Sequence, residues 1–554
     1  MFALTRDRNL TLRVETASTP NALDSESQAT ADDVHAAINT TSQFVRTALL
    51  ICLMLAIAWA GGGRYLLQRQ LWMDEIHSWL LIQEPQTQRS LQTLADGVDY
   101  NPPTYILLAR QLQYLPGGIT EFSLRWLSLS LMMLAIVGIF VVLHRRFPLL
   151  VCVAAMLMMA SNVHLIHQSA EIRFYPLWCA ACAWLCVVLD GHVIQKPWLM
   201  RLNNIVAVLL AGVITTTHYF GILTLGLICV GAMLIPDITR GRRRMIVLVA
   251  CTGGVCLVVC LPFLIGQRAA ITRATWVSPA TVEDSIGFLT AMFPLGPMIV
   301  CGVAFVISTA LRKSGEQHGN LAVAEHGATS EAAQAFGELA RQLAPCLLLT
   351  LMPLVIVLLS WTVQPALVTR YAVPGVLGFG AIFAILLSRC YPRFQMLMVV
   401  AGGVMLLRGV ALCSHQWHEI DLIRAKLVIQ LKELPADGPI VFEDRTVSMP
   451  VLHSHPELRA RCSLLDFTDD QLSMDSRLRI VQRDVGRRIA QWYPAYSMRS
   501  LDSLANERTY FVIPYGESPS ATLLWPADHR KSSVSPGIDR FDRSASETST
   551  VPLE

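Results

Sequence analysis

An α-helical polytopic membrane protein with about 11 transmembrane helices, followed by a small C-terminal α/β domain outside the lipid, is the fold class this sequence predicts. Three observations carry it. Of 554 residues, 53% are hydrophobic and only 15% are charged, against roughly 25% charged in an ordinary soluble domain. Apolar runs near the length of a bilayer crossing, about 20 residues, recur along most of the chain. Basic residues fall in alternate loops between those runs. A net charge of +3 is too small to recruit nucleic acid. The 14 cysteines lie mostly inside apolar runs, as in "CAACAWLC" (Cys179 to Cys186), where cysteine acts as a small hydrophobe. Cys462 stands in the polar C-terminal part, and no disulfide framework is readable.

In chain order, residues 1–46 are rich in Ser, Thr and Asp and read as a disordered cytoplasmic N-terminus rather than a signal peptide. A transmembrane catalytic domain spans 47–414. Its crossings are expected near 47–66, 124–143, 149–168, 174–190, 203–218, 219–236, 245–265, 286–310, 344–361, 370–388 and 394–413. The runs 203–218 and 219–236 are nearly continuous. Together they would make a helix of roughly 50 Å, far longer than a ~30 Å hydrocarbon core, so a reversal is placed at "TTTHYF", Thr215 to Phe220. The long first loop, 67–123, contains the amphipathic "SLQTLADGVDY", which Pro102 and Pro103 terminate. The insert 314–343 reads as an excursion. Residues 415–516 alternate helix-like and strand-like patterns ("LIRAKLVIQLKEL", "PIVFE", "DSRLRIVQRDVGRRIAQWY", "TYFVIP"), as a small α/β domain does. Residues 517–554 read as a disordered tail.

With the N-terminus inside, the inner connections hold Arg145, Arg146, Lys196, Arg201, Arg240, Arg242, Arg243, Arg244, Arg312, Lys313, Arg341, Arg389 and Arg393. The positive-inside bias then places the C-terminal domain outside. On the same outer face fall Asp74 and Glu75 of "LWMDEIHSWL", "NPPTY", "EFSLR", "EIRFY", "HYF" and "TRY". The chemically capable residues therefore converge at one membrane surface.

Each constellation has a plain reading beside the functional one. An acidic pair at a membrane boundary is often merely solvated, but a carboxylate partly desolvated between Trp72, His77 and Trp79 gains the basicity a general base needs. Arg125, Arg173 and Arg370 are either snorkelling anchors or a phosphate site, since the guanidinium fork suits a phosphate and the charge that develops as it leaves. Glu121 and Glu171 sit beside two of these arginines and read as their ion-pair partners or as site acids. His218 is either part of a simple reversal or a site residue. "HSHPE" (His453 to Glu457) and "HQWH" (His415 to His418) lack a third ligand at metal-site spacing and read as loop and membrane boundary.

The order of these motifs resembles a known family. "DE" after the first span, then "NPPTYILL", "EFSLRWLS", "EIRFY", "HYFGIL" and "TRYAVPGVLGFG", is similar to the GT-C superfamily of membrane glycosyltransferases, and within it to the family 39 relatives that include protein O-mannosyltransferases and aminoarabinose transferases acting on lipid A. The resemblance runs from residue 47 to about 390. It implies a polyprenyl-phosphate-linked sugar as donor and inverting transfer to a lipid, polysaccharide or protein acceptor on the extracytoplasmic face of the inner membrane. Carried over residue by residue, it implies Asp74 as general base with Glu75 beside it. It also implies Arg125, Glu171, Arg173, Tyr175, His218, Tyr219, Arg370 and Tyr371 at the donor phosphate and sugar. Asn101 stands where the family often has His, and Trp126 and Leu127 where a proline is common. Only the DE pair suggests a metal ligand and there is no D-x-D, so a metal-independent reaction without cofactor is expected. A transporter or lipid-linked-sugar flippase is the main rival; the spans show no internal repeat of the kind transporters use. A membrane sensor whose outer domain binds a ligand is a third reading.

Overall fold

The computed structural model describes residues 62–190, 197–236, 238–270, 277, 279–317, 337–467, 477–514, 529–535 and 538–543. Its apolar runs are helices. Glu121–His144, Trp198–Thr217, Ala344–Thr362, Thr369–Ser388 and Pro392–Glu433 are each long and apolar enough to cross a membrane. Three further runs are bent pairs: Leu149–Ala160 with Val163–Ser169 at 80°, Arg240–Val259 with Leu261–Arg268 at 46°, and Val282–Met292 with Leu295–Leu311 at 60°. The 80° bend has a local cause, because the Asn162 side chain accepts from the His164 and Leu165 N–H groups and caps the second piece.

Among the described residues this amounts to five crossings, or eight if each bent pair is one span, against the eleven or so expected of the whole chain. Two of the expected runs form helices Tyr175–Val188 and Gly221–Met233, of 14 and 13 residues. At 1.5 Å per residue these reach about 20 Å, short of a ~30 Å core. The run 47–66 lies almost wholly outside the described residues, as do residues 1–46 and most of the insert 314–343.

Many large side chains on the crossing helices stay exposed, among them Leu209, Val255, Val259, Ile299 and Leu358, as a lipid-facing surface requires. Thr369–Ser388 differs: 78% of its apolar window is buried, which makes it the central helix. Close packing there needs glycine, for a Cβ on Gly378 would fall on the Cys346 carbonyl oxygen. The reversal in "TTTHYF" occupies His218–Phe220, between helices ending at Thr217 and starting at Gly221. A Cβ on Gly221 would strike the Ile214 carbonyl oxygen.

The C-terminal domain is a six-stranded sheet: β1 Ile440–Phe442, β2 Cys462–Asp466, β3 Met498–Ser500, β4 Thr509–Ile513, β5 His529–Ser535 and β6 Ile538–Arg543, ordered β3-β2-β1-β4-β6-β5. The pairs β2–β3, β1–β2 and β1–β4 are parallel. Their inner strands are buried along their whole length, which is why they read as unbroken apolar runs. Two features differ from expectation. Strands β5 and β6 lie in the stretch read as a disordered tail. They pair antiparallel on the edge of β4 and are anchored by Phe541 stacked on Tyr510 at 5.1 Å. An edge hairpin needs few apolar residues, so its polar composition masked it. The boundary placed at 414/415 falls inside one helix, Pro392–Glu433, which runs unbroken for 42 residues.

That long helix also grips the segment leading into the acidic pair. Tyr65 hydrogen-bonds Asp421, the Arg69 guanidinium lies 3.8 Å over the Trp417 ring, and Arg424 donates to the Leu71 carbonyl. These contacts deliver Arg69 to Glu75. Glu75 is fully buried at the third position of helix Met73–Gln83. Its Oε2 accepts from Arg69 at 2.7 Å, from Arg125 at 3.3 Å and from the Trp72 N–H at 3.2 Å, while Oε1 accepts from the Ile172 N–H at 2.9 Å. Arg125 is buried too and donates to the Leu66 and Gln70 carbonyls. Burial alone would raise the Glu75 pKa, but Arg125 and Arg69 hold it below the usual range. Glu171 borders the same knot, buried, with Oε2 unpartnered among the described residues. Burial, then the neighbouring Glu75 charge, pushes its pKa up to about 7.

Two outcomes are expected. Glu75→Ala leaves two buried arginines unpaired and destabilises the protein by about 3–5 kcal/mol, which thermal unfolding in lipid reads directly. Glu171 keeps its proton in the folded chain at a pH where the unfolded carboxyl has released it. Wild-type stability therefore falls as pH rises from 4.5 through 7, by an amount on the order of 3 kcal/mol. Glu171→Gln flattens that slope; an unchanged slope in the variant would assign it to another group.

Candidate active site

Neighbouring residues on a helix point about 100° apart. With Glu75 locked inward, Asp74 is turned to a different side, in the first turn of Met73–Gln83. Its Oδ2 lies 2.9 Å from Arg370, which comes from the 3-10 turn Thr369–Ala372 at the head of the central helix. The pair is mostly buried yet not sealed, with 12% of the Asp74 side chain and 19% of the Arg370 side chain exposed. The Arg370 guanidinium also sits 5.3 Å from the Trp72 ring centre, where the ring face favours a cation. Burial raises the Asp74 pKa, but the Arg370 and Arg173 charges outweigh it and hold it at about 2.

Arg173 is committed differently. Its Nη1 donates to the Asp74 backbone oxygen at 3.0 Å, to Ser78 Oγ at 3.1 Å and to Asp99 Oδ2 at 2.7 Å. Asp99 is oriented in turn by the Asn101 side chain, which donates to its Oδ1 at 2.7 Å. The residue at the head of "NPPTY" thus holds the carboxylate that holds Arg173. Tyr175 is buried beside this cluster, its hydroxyl unpartnered among the described residues. His218 lies between Phe174 and Trp178, stacked on both at 4.8 and 4.7 Å, and 5.1 Å from the Tyr371 ring. Its Nδ1 accepts from the Phe220 N–H, and burial lowers its pKa to about 3, so it is neutral at ordinary pH.

The structure thus gathers Asp74, Arg173, Tyr175, His218, Arg370 and Tyr371. It does not gather all of the expected set. Glu75 and Arg125 are fully buried and satisfy each other in the knot behind the site, so neither is a contact surface. Glu171 borders that knot. Tyr219 turns away and donates to Gln267, whose amide donates to the Leu94 and Asn101 carbonyls; it braces the loop from outside.

Sequence reading passed over Asp99, Ser78, Arg69 and Arg445. Asp99 stands three residues before the double proline, and its pairing with Arg173 spans 74 positions, which no local pattern shows. Arg445 follows strand β1 and comes from the C-terminal domain. That domain rests on the first loop: His453 meets Glu121 at 3.0 Å and lies 6.1 Å from the Trp79 ring, and Trp492 donates to Asp96 at 3.0 Å.

No family model matches the chain, and no curated protein matches it in sequence. Solved structures do match in shape. The crystal structure of ArnT from Cupriavidus metallidurans bound to undecaprenyl phosphate covers 90% of this chain and 98% of its own, with a TM-score of 0.54 at 13% identity. The apo structure of the same protein covers 85% and 94%, with a TM-score of 0.52 at 14% identity. Identity this low carries the architecture and nothing finer. The match runs over nearly the whole length of both chains, so this chain shares the fold of ArnT.

Proposed function

We propose that this protein is an inverting glycosyltransferase that moves a sugar from a polyprenyl-phosphate donor to an acceptor at the extracytoplasmic face of the inner membrane. The observation that carries the reading is the Asp74–Arg370 pair, 2.9 Å apart, at the head of the central helix of a fold whose solved counterpart was crystallised with undecaprenyl phosphate. The topology is supported by the far end of the bundle. There Arg145 and Arg146 both pair with Asp190, and Arg242 donates to the Leu189 carbonyl, gathering residues that the positive-inside bias places in the cytoplasm.

In this reading Arg370 serves two partners in turn. In the empty site it neutralises Asp74, and a carboxylate held near pKa 2 is a poor base. The donor phosphate, carrying negative charge, competes for the same guanidinium. As Arg370 turns to the phosphate, Asp74 is left desolvated without its counterion, and its basicity rises. Asp74 then takes the proton of the acceptor hydroxyl or amine. The acceptor heteroatom bonds to the anomeric carbon from the face opposite the phosphate. The bond from that carbon to the phosphate oxygen breaks, its electrons leave with the polyprenyl phosphate, and Arg370 stabilises the departing charge. Arg173, fixed by Asp99, holds the backbone at Asp74 and acts as a positioning residue. Half-buried Tyr371 supplies the aromatic surface on which a sugar ring rests, and His218, stacked between Phe174 and Trp178, backs it from behind.

The test is donor consumption by purified protein in lipid, against a panel of polyprenyl-phosphate sugars, with slow hydrolysis to water counted. Wild type consumes one donor, and Asp74→Asn lowers the turnover by about 10²–10⁴-fold, the usual worth of a general base. Near-normal turnover in Asp74→Asn removes that residue from the chemistry; no consumption of any donor moves the weight to lipid translocation. Arg370→Gln lowers kcat/KM for the donor by about 10²–10³-fold, the scale of losing one charge-stabilising donor. Arg125→Gln behaves differently, reducing thermal stability while the donor KM of the folded fraction stays near wild type.

A further inference from the structure

The terminal sheet has a feature that its polar loops conceal. Strands β3, β2, β1 and β4 are parallel, and the chain steps outward from β1 through β2 to β3 before returning to the other side of β1 as β4. The order therefore reverses between β1 and β4. In open α/β sheets such a reversal leaves a crevice beyond the carboxyl ends of the strands, and ligands bind there. The residues that leave β1 at this place are Glu443, Asp444 and Arg445.

Arg445 opens helix Arg445–Ser454 and is only 7% exposed. Its Nε and Nη1 are buried with no hydrogen-bond partner, and among the described residues no carboxylate lies within ion-pair distance of it. Of the two acids just before it, Asp444 is occupied capping the helix through the Thr446 N–H and hydroxyl, and Glu443 is buried without forming an ion pair to Arg445. A buried cation without a counterion is costly, and such a group is held ready for an anion. The helix that Arg445 opens packs against helix Met73–Gln83, which carries Asp74 and His77. This end of the sheet therefore adjoins the first loop beside the proposed base, and the charge of Arg445 acts on Asp74, His77 and Tyr100. His77 is buried there with Nε2 also unpartnered. Arg173 cannot serve the same anion, since Asp99 already engages it.

We propose that Arg445, with His77, forms a second anion subsite on the water side of Asp74, built to hold a phosphate monoester of the acceptor. Donor and acceptor phosphates are thereby bound by different arginines, Arg370 from the membrane part and Arg445 from the terminal domain. The assignment to an acceptor rests on the transferase reading; the anion site does not. This gives the C-terminal domain a direct part in choosing what is modified.

The experiment is thermal unfolding of the full-length protein in phosphatidylcholine nanodiscs. Undecaprenyl phosphate is added to saturation, and inorganic phosphate is then titrated at ionic strength held constant with chloride. A ligand that binds only the folded chain raises Tm in a saturable way. Wild type shows a saturable phosphate response with the lipid already bound. Arg445→Gln loses at least tenfold in apparent phosphate affinity, and Arg445→Lys, which keeps the charge but not the fork, retains a weakened response. Retention of the undecaprenyl phosphate shift in both variants shows that they are folded. Repeating the titration with part of the lipid replaced by phosphatidic acid separates the sources. Loss of the soluble-phosphate response assigns the subsite to a lipid-borne monoester, and its persistence to a water-borne one. No saturable response in wild type, or an equal one in Arg445→Gln, overturns the proposal. Loss of the undecaprenyl phosphate shift in Arg445→Gln but not in Arg445→Lys merges the two sites and also overturns it. A phosphate response that depends on Arg445, in a protein indifferent to undecaprenyl phosphate, leaves the subsite standing and removes the donor reading instead.

Discussion

Glu75, a carboxylate that does not meet solvent, is the anchor on which the rest of the site depends. Two arginines and two backbone N–H groups converge on it from the segment before the Met73–Gln83 helix, from the Glu121–His144 helix and from the loop around Ile172. Taking these charges out of water is expensive, and an apolar cluster of equal volume would often be at least as stable. An apolar cluster, however, tolerates small rotations, and charged hydrogen bonds with defined directions do not. Because the next residue on a helix points elsewhere by a fixed angle, holding Glu75 aims Asp74. The adjacent acids therefore divide the work: one is structural so that the other can be chemical.

The same separation runs through the cations. Arg69 and Arg125 are spent on Glu75, and Arg173 is spent on Asp99. Arg370 pairs with Asp74 and keeps 19% of its side chain exposed. A site crowded with positive charge would bind any passing anion; one in which most guanidinium groups are already matched leaves few to offer. Selectivity for a ligand with two anionic groups would then follow from how far apart Arg370 and Arg445 stand, which is set by the fold.

Much of this arrangement was legible in the sequence, and the rest was hidden for physical reasons. Apolar runs marked the helices because lipid and helix interior demand the same side chains, but they could not show where a helix bends, since Asn162 looks like an ordinary polar residue within its run. The acidic pair, the "EIRFY" stretch and the late "RY" were visible as a motif order. Which member of each motif touches the site was not. Arg125 and Tyr219 had the right chemistry and loop position, and only packing turned them aside. Asp99 and Arg445 were missed because their importance lies in partners or neighbours far along the chain. The terminal hairpin escaped notice because its strands need a single good stacking contact rather than an apolar run.

The unbroken helix Pro392–Glu433 has a mechanical consequence. Its 42 residues make a rod of about 63 Å, roughly twice the hydrocarbon thickness. It begins among the crossing helices, clasps the approach to Glu75 midway through Trp417 and Asp421, and ends seven residues before the start of β1. It is a mast for the sheet as well as a crossing. A loop absorbs an added residue, whereas a rod converts it into about 1.5 Å of lift and 100° of rotation at its tip. The stretch between Asp421 and Glu433 is therefore gauged like the arm of an instrument: its length sets the height of the terminal domain above the bilayer and the direction in which that domain faces.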